Sequence, residues 1–201
     1  MLTLDEFVKY WEAQQLPGSD GKSPRYWPGC VKMAAGAIQW MKGLIDWPPE
    51  KVLEIGCCDG QVLELFEKEG VWAHGLFGIT LFQEEVDLLR SEHPKYNAGV
   101  ISMHSFCPPF KFDLVMAQRT LEHSPVGFYL LYRMMSMAKR WVLIGQAPWP
   151  DLVADPRHYS QLPAENIWNW VNKLGGKKIG QLDKYGVWFL IDTSGMIDMG
   201  E

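Results

Sequence analysis

The sequence has no apolar run approaching the roughly 20 residues needed to cross a bilayer, so no membrane partner is expected. It also lacks a basic stripe. With 19 Lys and Arg against 24 Asp and Glu, the net charge is −5, and the densest basic spots, Lys139-Arg140 and Lys177-Lys178, are only two residues long. A phosphate backbone is therefore not a favoured partner, which argues against bulk DNA or RNA. Cysteine is scarce, four in all, without paired spacing, which points to a reducing cytoplasm without disulfides. The opening Met1 to Glu6 turns acidic at once, without the basic and apolar zones of a signal peptide. Glycine and proline, 19 and 13 residues, follow no repeat. A metal is not expected either: His104 and Cys107, the adjacent Cys57-Cys58 and Glu122-His123 form no compact tetrahedral set.

What remains is an ordinary globular composition, 201 residues and 47% hydrophobic, enough for one domain with a sizeable core. Ten tryptophans stand out as material for core, pocket or partner surface. Thr3 to Glu6 has capping-box spacing ahead of a first helix that ends before Pro17-Gly18. Residues 17–29 read as irregular. Apolar residues at helical spacing from Val31 to Ile45 predict a second helix, stopped by Trp47-Pro48-Pro49.

Beyond that break the pattern alternates. Strands are predicted at 51–55, 71–79, 99–102, 112–117 and 141–145, with helices at 61–68 and 83–91 and a long one opened by Ser124-Pro125, Ser as N-cap. A Pro-bounded loop carrying Trp149 and His158-Tyr159 precedes a helix over 163–174, closed by Gly175-Gly176. Two last strands, 177–183 and 186–192, read as a hairpin around Lys184-Tyr185. This alternation implies an α/β fold, a mostly parallel sheet with helices on both faces and an antiparallel C-terminal hairpin. Residues 1–47 form an N-terminal helical extension and 48–201 the α/β domain. Ligands in such sheets bind beyond the carboxyl ends of the strands, where the strand order reverses.

The stretch Val52-Leu53-Glu54-Ile55-Gly56-Cys57-Cys58-Asp59-Gly60 places a glycine turn between a strand and a helix, where free N–H groups can meet a ligand. It resembles the first motif of the class I S-adenosylmethionine-dependent methyltransferases, with Cys58 at the central glycine. Three more stretches follow in that family's order. Gly78 to Glu85 resembles the cyclopropane-synthase-like form of the second motif. Ser102-Met103-His104 followed by Phe112-Asp113-Leu114-Val115 resembles the adenine-contacting segment of small-molecule methyltransferases. Gln118 to Pro125 resembles the Arg-x-(Val/Leu)-Leu-Glu-His-Ser-Pro segment of the same subgroup.

The resemblance spans about Lys51 to Gly145. It implies a Rossmann-like seven-stranded sheet, S-adenosylmethionine as cofactor, S-adenosylhomocysteine as product and a small-molecule acceptor methylated on oxygen or nitrogen. Carried over residue by residue, it implies that Glu54, Gly56, Cys57, Cys58 and Gly60 hold the methionine end. Thr80, Leu81 and Glu85 would face the ribose, Ser102 and Met103 the adenine, and Gln118 the mouth. His123 would be the base for the acceptor's proton, or with Glu122 a brace for the following helix. Asp113 is expected to support the sheet. Cys58 for glycine, and Thr80 and Ser102 for acids, leave open a methyltransferase-fold module that binds or assembles without catalysis. The oligomeric state is open.

Overall fold

The stripe Cys30, Ala34, Ala37, Ile38 and Met41 repeats at helical spacing and is buried, which makes helix α1 (Pro28–Lys42) a packed element. The computed structural model describes residues 28–124, 126–146, 163–182 and 187–196. The helix expected at the N-terminus, Trp149, His158-Tyr159 and the turn Lys184-Tyr185 lie outside them. Strand β1 (Val52–Ile55) leads through the glycine turn into α2 (Gln61–Lys68). Next come β2 (Leu76–Thr80), α3 (Gln83–Glu92), β3 (Asn97–Val100) and β4 (Phe112–Gln118). Helix α4 (Gly127–Met137), β5 (Ala138–Gln146), α5 (Ala164–Lys173), β6 (Lys177–Leu182) and β7 (Val187–Asp192) complete the chain.

The strands form one seven-stranded sheet in the order β3-β2-β1-β4-β5-β7-β6. Pairs β1–β2, β1–β4, β2–β3 and β4–β5 are parallel, and β7 runs antiparallel to both β5 and β6. Side chains alternate between two cores because successive Cβ atoms of a strand point to opposite faces. Val52, Leu114, Met116, Trp141, Leu143, Trp188 and Leu190 pack with α1 and α2. Leu53, Val115, Val142, Ile144, Phe189 and Ile191 pack with α4 and α5. Sequence order reverses between β1 and β4, so the crevice this fold offers a ligand opens at their carboxyl ends.

Several boundaries differ from the sequence expectations. Helix α1 starts three residues earlier, at Pro28, a residue suited to a first helical turn, and stops at Lys42. Strand β2 starts at Leu76 because Ala73–Gly75 forms a 3-10 turn. Gly75 there lies so close to Glu50 that a Cβ would sit 2.1 Å from its carbonyl oxygen. Strand β3 occupies 97–100, which moves Ser102 off the strand and into the following turn. Ser124 does not cap α4, whose N-cap is Val126; a 3-10 turn at Leu121–His123 intervenes, and Ser124 Oγ instead accepts the Val126 N–H at 3.2 Å. Asp113 braces the sheet from its amino end, accepting the Lys51 N–H at 2.8 Å and pairing with Lys139 at 2.8 Å.

Candidate functional site

At the end of β1 the chain turns through Gly56 at φ 76, Cys58 at φ 45 and Gly60 at φ 82. All three lie in the left-handed region that glycine enters freely and other residues enter at a cost. The turn is pinned by the Gly56 N–H to the Ile79 carbonyl at 2.8 Å and the Gly60 N–H to Cys57 O at 2.9 Å. A Cβ at Gly56 would lie 2.5 Å from Thr120 Oγ1, so its bareness admits Thr120 from the β4 loop. The Thr120 hydroxyl lies 3.1 Å from both the Ile55 and Gln118 carbonyls, tying β1 to β4. Gly78 likewise admits Cys57, whose Sγ a Cβ there would approach to 2.6 Å.

Carboxylates gather around this turn. Glu54 and Asp59 are fully buried, and Asp59 Oδ2 accepts from Gln61 Nε2 at 2.6 Å. Glu85, buried in the first turn of α3, accepts a hydrogen bond from the Thr80 hydroxyl at the end of β2, with the Cys58 thiol close enough to favour its charged form as well. Burial raises the Glu85 carboxyl above the usual glutamate range, against the pull of Thr80 and Cys58, while Asp59 and Glu84 push it the same way as burial. Burial, reinforced by Glu85 and Glu54, drives the Cys58 thiol well up, and burial and Glu54 do the same for Cys57. Cys58 is therefore a neutral thiol that can donate to Glu85. Two of the three residues that depart from the motifs the sequence resembles, Cys58 and Thr80, thus meet at the buried Glu85 carboxylate, while the third, Ser102, lies in the turn after β3.

The remaining sequence-predicted residues distribute around the same edge. Leu81 is half-buried just beyond β2. Ser102 turns the chain after β3, its Oγ accepting the His104 N–H at 3.3 Å, and Met103 is buried in the core under α4. Gln118, at the end of β4, is 3% exposed, and its Nε2 donates to the Cys30 carbonyl in the first turn of α1 at 2.8 Å. His123 closes the 3-10 turn after β4; the placement of its side chain lies outside the described residues. Arg119, at φ 52, donates its N–H to Gly145 O at 2.6 Å and sets Nε 3.5 Å from Glu122 Oε1. Trp168 packs edge-on to Phe189 and Trp170 stacks on Phe128, on different sides of α5. Among the described residues no group of three or more metal-ligating side chains converges, and no helix is long and apolar enough to cross a membrane.

The sequence alone missed two things here: Thr120 filling the space over Gly56, and Cys30 holding Gln118. Both are contacts between segments distant in the chain, with no local signal.

No protein-family model matches the sequence, and no curated protein matches it. Solved structures do resemble the fold. The plantazolicin methyltransferase BpumL, in complex with a pentazolic desmethylPZN analog and SAH, has a TM-score of 0.71 at 14% identity over 92% of this chain and 95% of that one. The N-methyltransferase NodS from Bradyrhizobium japonicum WM9, in complex with S-adenosyl-L-homocysteine, has a TM-score of 0.70 at 12% identity over 92% and 97%. Magnesium protoporphyrin IX methyltransferase from Synechocystis PCC 6803, with bound SAH, has a TM-score of 0.65 at 13% identity over 92% and 93%. The chain shares the fold of these proteins across nearly its whole length.

Proposed function

We propose that this chain is an S-adenosylmethionine-dependent methyltransferase that moves a methyl group to an oxygen or nitrogen of a small-molecule acceptor. The observation that carries the proposal is the Cys58–Glu85–Thr80 group at the adjoining ends of β1 and β2. It sets a buried carboxylate where a ribose hydroxyl would need an acceptor, beside the glycine turn that leads from β1 into α2. The shared fold and the order of the four sequence motifs support the same reading, as does the position of the turn at the reversal of strand order.

In this reading Gly56, Cys57, Cys58 and Gly60 hold the cofactor through the turn, with Glu54 beneath it. Thr80, Leu81 and Glu85 take the ribose, and Ser102 and Met103 border the adenine. When bound, the cofactor supplies a methyl group on a positively charged sulfur for in-line transfer. Glu54, Asp59 and Glu85 give the turn a negative field suited to a cationic donor. Orientation of the acceptor can supply much of the rate, and His123 is the residue assigned to take the acceptor's proton, since an imidazole titrates near neutrality. The four cysteines, with Cys30, Cys57, Cys58 and Cys107 free, fit a reducing compartment such as the cytoplasm.

The test is thermal unfolding with S-adenosylhomocysteine. A ligand at a hundredfold over its Kd stabilises the native state by about 2.7 kcal/mol, which raises Tm by several degrees. Glu85→Gln, which replaces the carboxylate by a neutral amide, should weaken that ligand tenfold or more, the cost of a lost charged hydrogen bond of about 1.5–3 kcal/mol. No stabilisation of the unmodified protein at millimolar ligand would overturn the proposal.

A further inference from the structure

The loop that leads into β4 and the last turn of α4 enclose a hollow at the opposite end of the sheet from the glycine turn. Residues 107–111 precede β4, Ser136 and Met137 precede β5, and Phe112 pairs with Ala138, so the hollow lies at the amino edge. The seven residues of β4, at about 3.3 Å each, set it roughly 20 Å from the carboxyl edge. Its volume is about 210 Å³, and Pro108, Phe110 and Met137 wall it, with Lys111 and Arg133 as its cations and Ser136 as its hydroxyl.

Neither charge is balanced. Among the described residues no carboxylate lines the hollow, and neither Lys111 nor Arg133 forms an ion pair. Asp113, the acid nearest to Lys111 in sequence, accepts the Lys51 N–H and pairs with Lys139 instead. Lys51 Nζ lies 4.2 Å from the Phe110 ring centroid, which brings a third positive charge to the same wall. Of the five N–H donors of a guanidinium, Arg133 gives one, on Nη2, to the Phe106 carbonyl at 2.6 Å, and its Nε is buried without a partner among the described residues. Ser136 Oγ donates to the Arg133 carbonyl at 2.8 Å, so toward a ligand this hydroxyl can only accept.

The structure assigns this hollow as a binding site for the phosphate group of a small molecule, held by Arg133 and Lys111, with Ser136 accepting from a P–OH. Cations around a concave space without acids focus a positive potential there, and a guanidinium fork matches phosphate oxygens. A phosphate dianion answers two cations where a carboxylate answers one. Pro108, Phe110 and Met137 offer apolar surface to an organic part. The site does not depend on the cofactor reading above. Arg133 also bonds, through Phe106, to the turn in which the Phe106 N–H reaches the Ser102 carbonyl at 2.9 Å, so an occupant is tied to the turn that carries Ser102 and Met103.

Titration calorimetry of the full chain at constant ionic strength, with inorganic phosphate, phenyl phosphate and acetate, tests the site. Phosphate should bind saturably in the millimolar range or tighter, and acetate about tenfold more weakly, for want of charged hydrogen bonds. Phenyl phosphate binding tighter than phosphate identifies an organic phosphate as the occupant and equal affinity identifies free phosphate; both uphold the site. Arg133→Met, which keeps length without charge, should weaken phosphate by about tenfold or more. Lys111→Gln, at an exposed side chain where folding is not at stake, should weaken it by about threefold. Lys95→Gln, at an exposed lysine away from the hollow, should leave it unchanged. Thermal melts establish that the variants fold, and Lys111→Gln decides the matter if Arg133→Met does not. Acetate binding as well as phosphate, equal losses in Lys95→Gln and Lys111→Gln, or no saturable binding of phosphate to the unmodified protein would overturn the site.

Discussion

Cys58 occupies a backbone conformation that costs an L-residue with a Cβ about 1–2 kcal/mol, and it does so at φ 45 in the middle of the site. Its thiol lies beside the Glu85 carboxyl and favours the charged form of that group. Comparing Cys58→Ala with Cys58→Gly separates the two effects, because both remove the thiol and only glycine removes the strain. Urea unfolding should find the glycine variant more stable than the alanine variant by about 1 kcal/mol. Equal midpoints would mean that the turn relaxes around any side chain. For Glu85 the raised carboxyl fixes the sign of a pH dependence. The native state holds its proton at a pH where the unfolded chain has released it, so stability falls as pH rises from the ordinary glutamate range through the raised value. Glu85→Gln should flatten that slope, and its stability relative to the unmodified protein should grow with pH across the same window. A constant difference between the two curves would show that Glu85 ionises normally. Nucleoside affinity should run the other way, rising as the carboxylate forms.

Elements were legible where periodicity was strong and illegible where a turn borrowed residues from a neighbour. Helices α2 and α3 and strands β1 and β4 stand where the apolar spacing put them, to within a residue. The entry to α4 does not: Ser124-Pro125 carries the signal of a helix start, yet Leu121–His123 takes a 3-10 turn first. Strand β5 begins three residues early, at Ala138, because Lys139 and Arg140 can lie exposed in the strand while pairing with Asp113, Asp46 and Asp192. Helix α1 shows how an extension joins the core: Ala34, Ala37, Ile38 and Met41 are buried with β1, β4 and α2. Trp40 also packs against Gly180 of β6, and Lys42 pairs with Glu69. Small residues at 34 and 37 let α1 sit close, so Ala37→Leu should overpack that seam and cost about 1–3 kcal/mol. Gln39→Leu, on the exposed side of the same helix, should change stability by less than about 0.5 kcal/mol. Equal Tm values for the two variants would show α1 to be a loosely attached arm.

Across the whole molecule, the central strands β1, β4, β5 and β7 carry residues of both cores, while β3 and β6 form the edges and are exposed or half-buried along their length. The alternation of strand and helix was enough to read this architecture from sequence. The order of strands was not, because it depends on which pairs bury most surface together, and the antiparallel insertion of β7 between β5 and β6 leaves no local mark beyond the hairpin. The arrangement sets a gradient of local stability, since amides in the doubly covered strands open only with global unfolding and edge amides open by local fraying. Hydrogen exchange should therefore give the slowest amides in β1, β4, β5 and β7 and faster ones in β3 and β6. Adding S-adenosylhomocysteine should slow exchange most at 56–60, 80–85 and 118–120, the three segments that meet at the carboxyl edge. Protection confined to the amino edge of the sheet, near Lys51 and Asp113, would place the ligand on the wrong end of the strands and sink the assignment of the site.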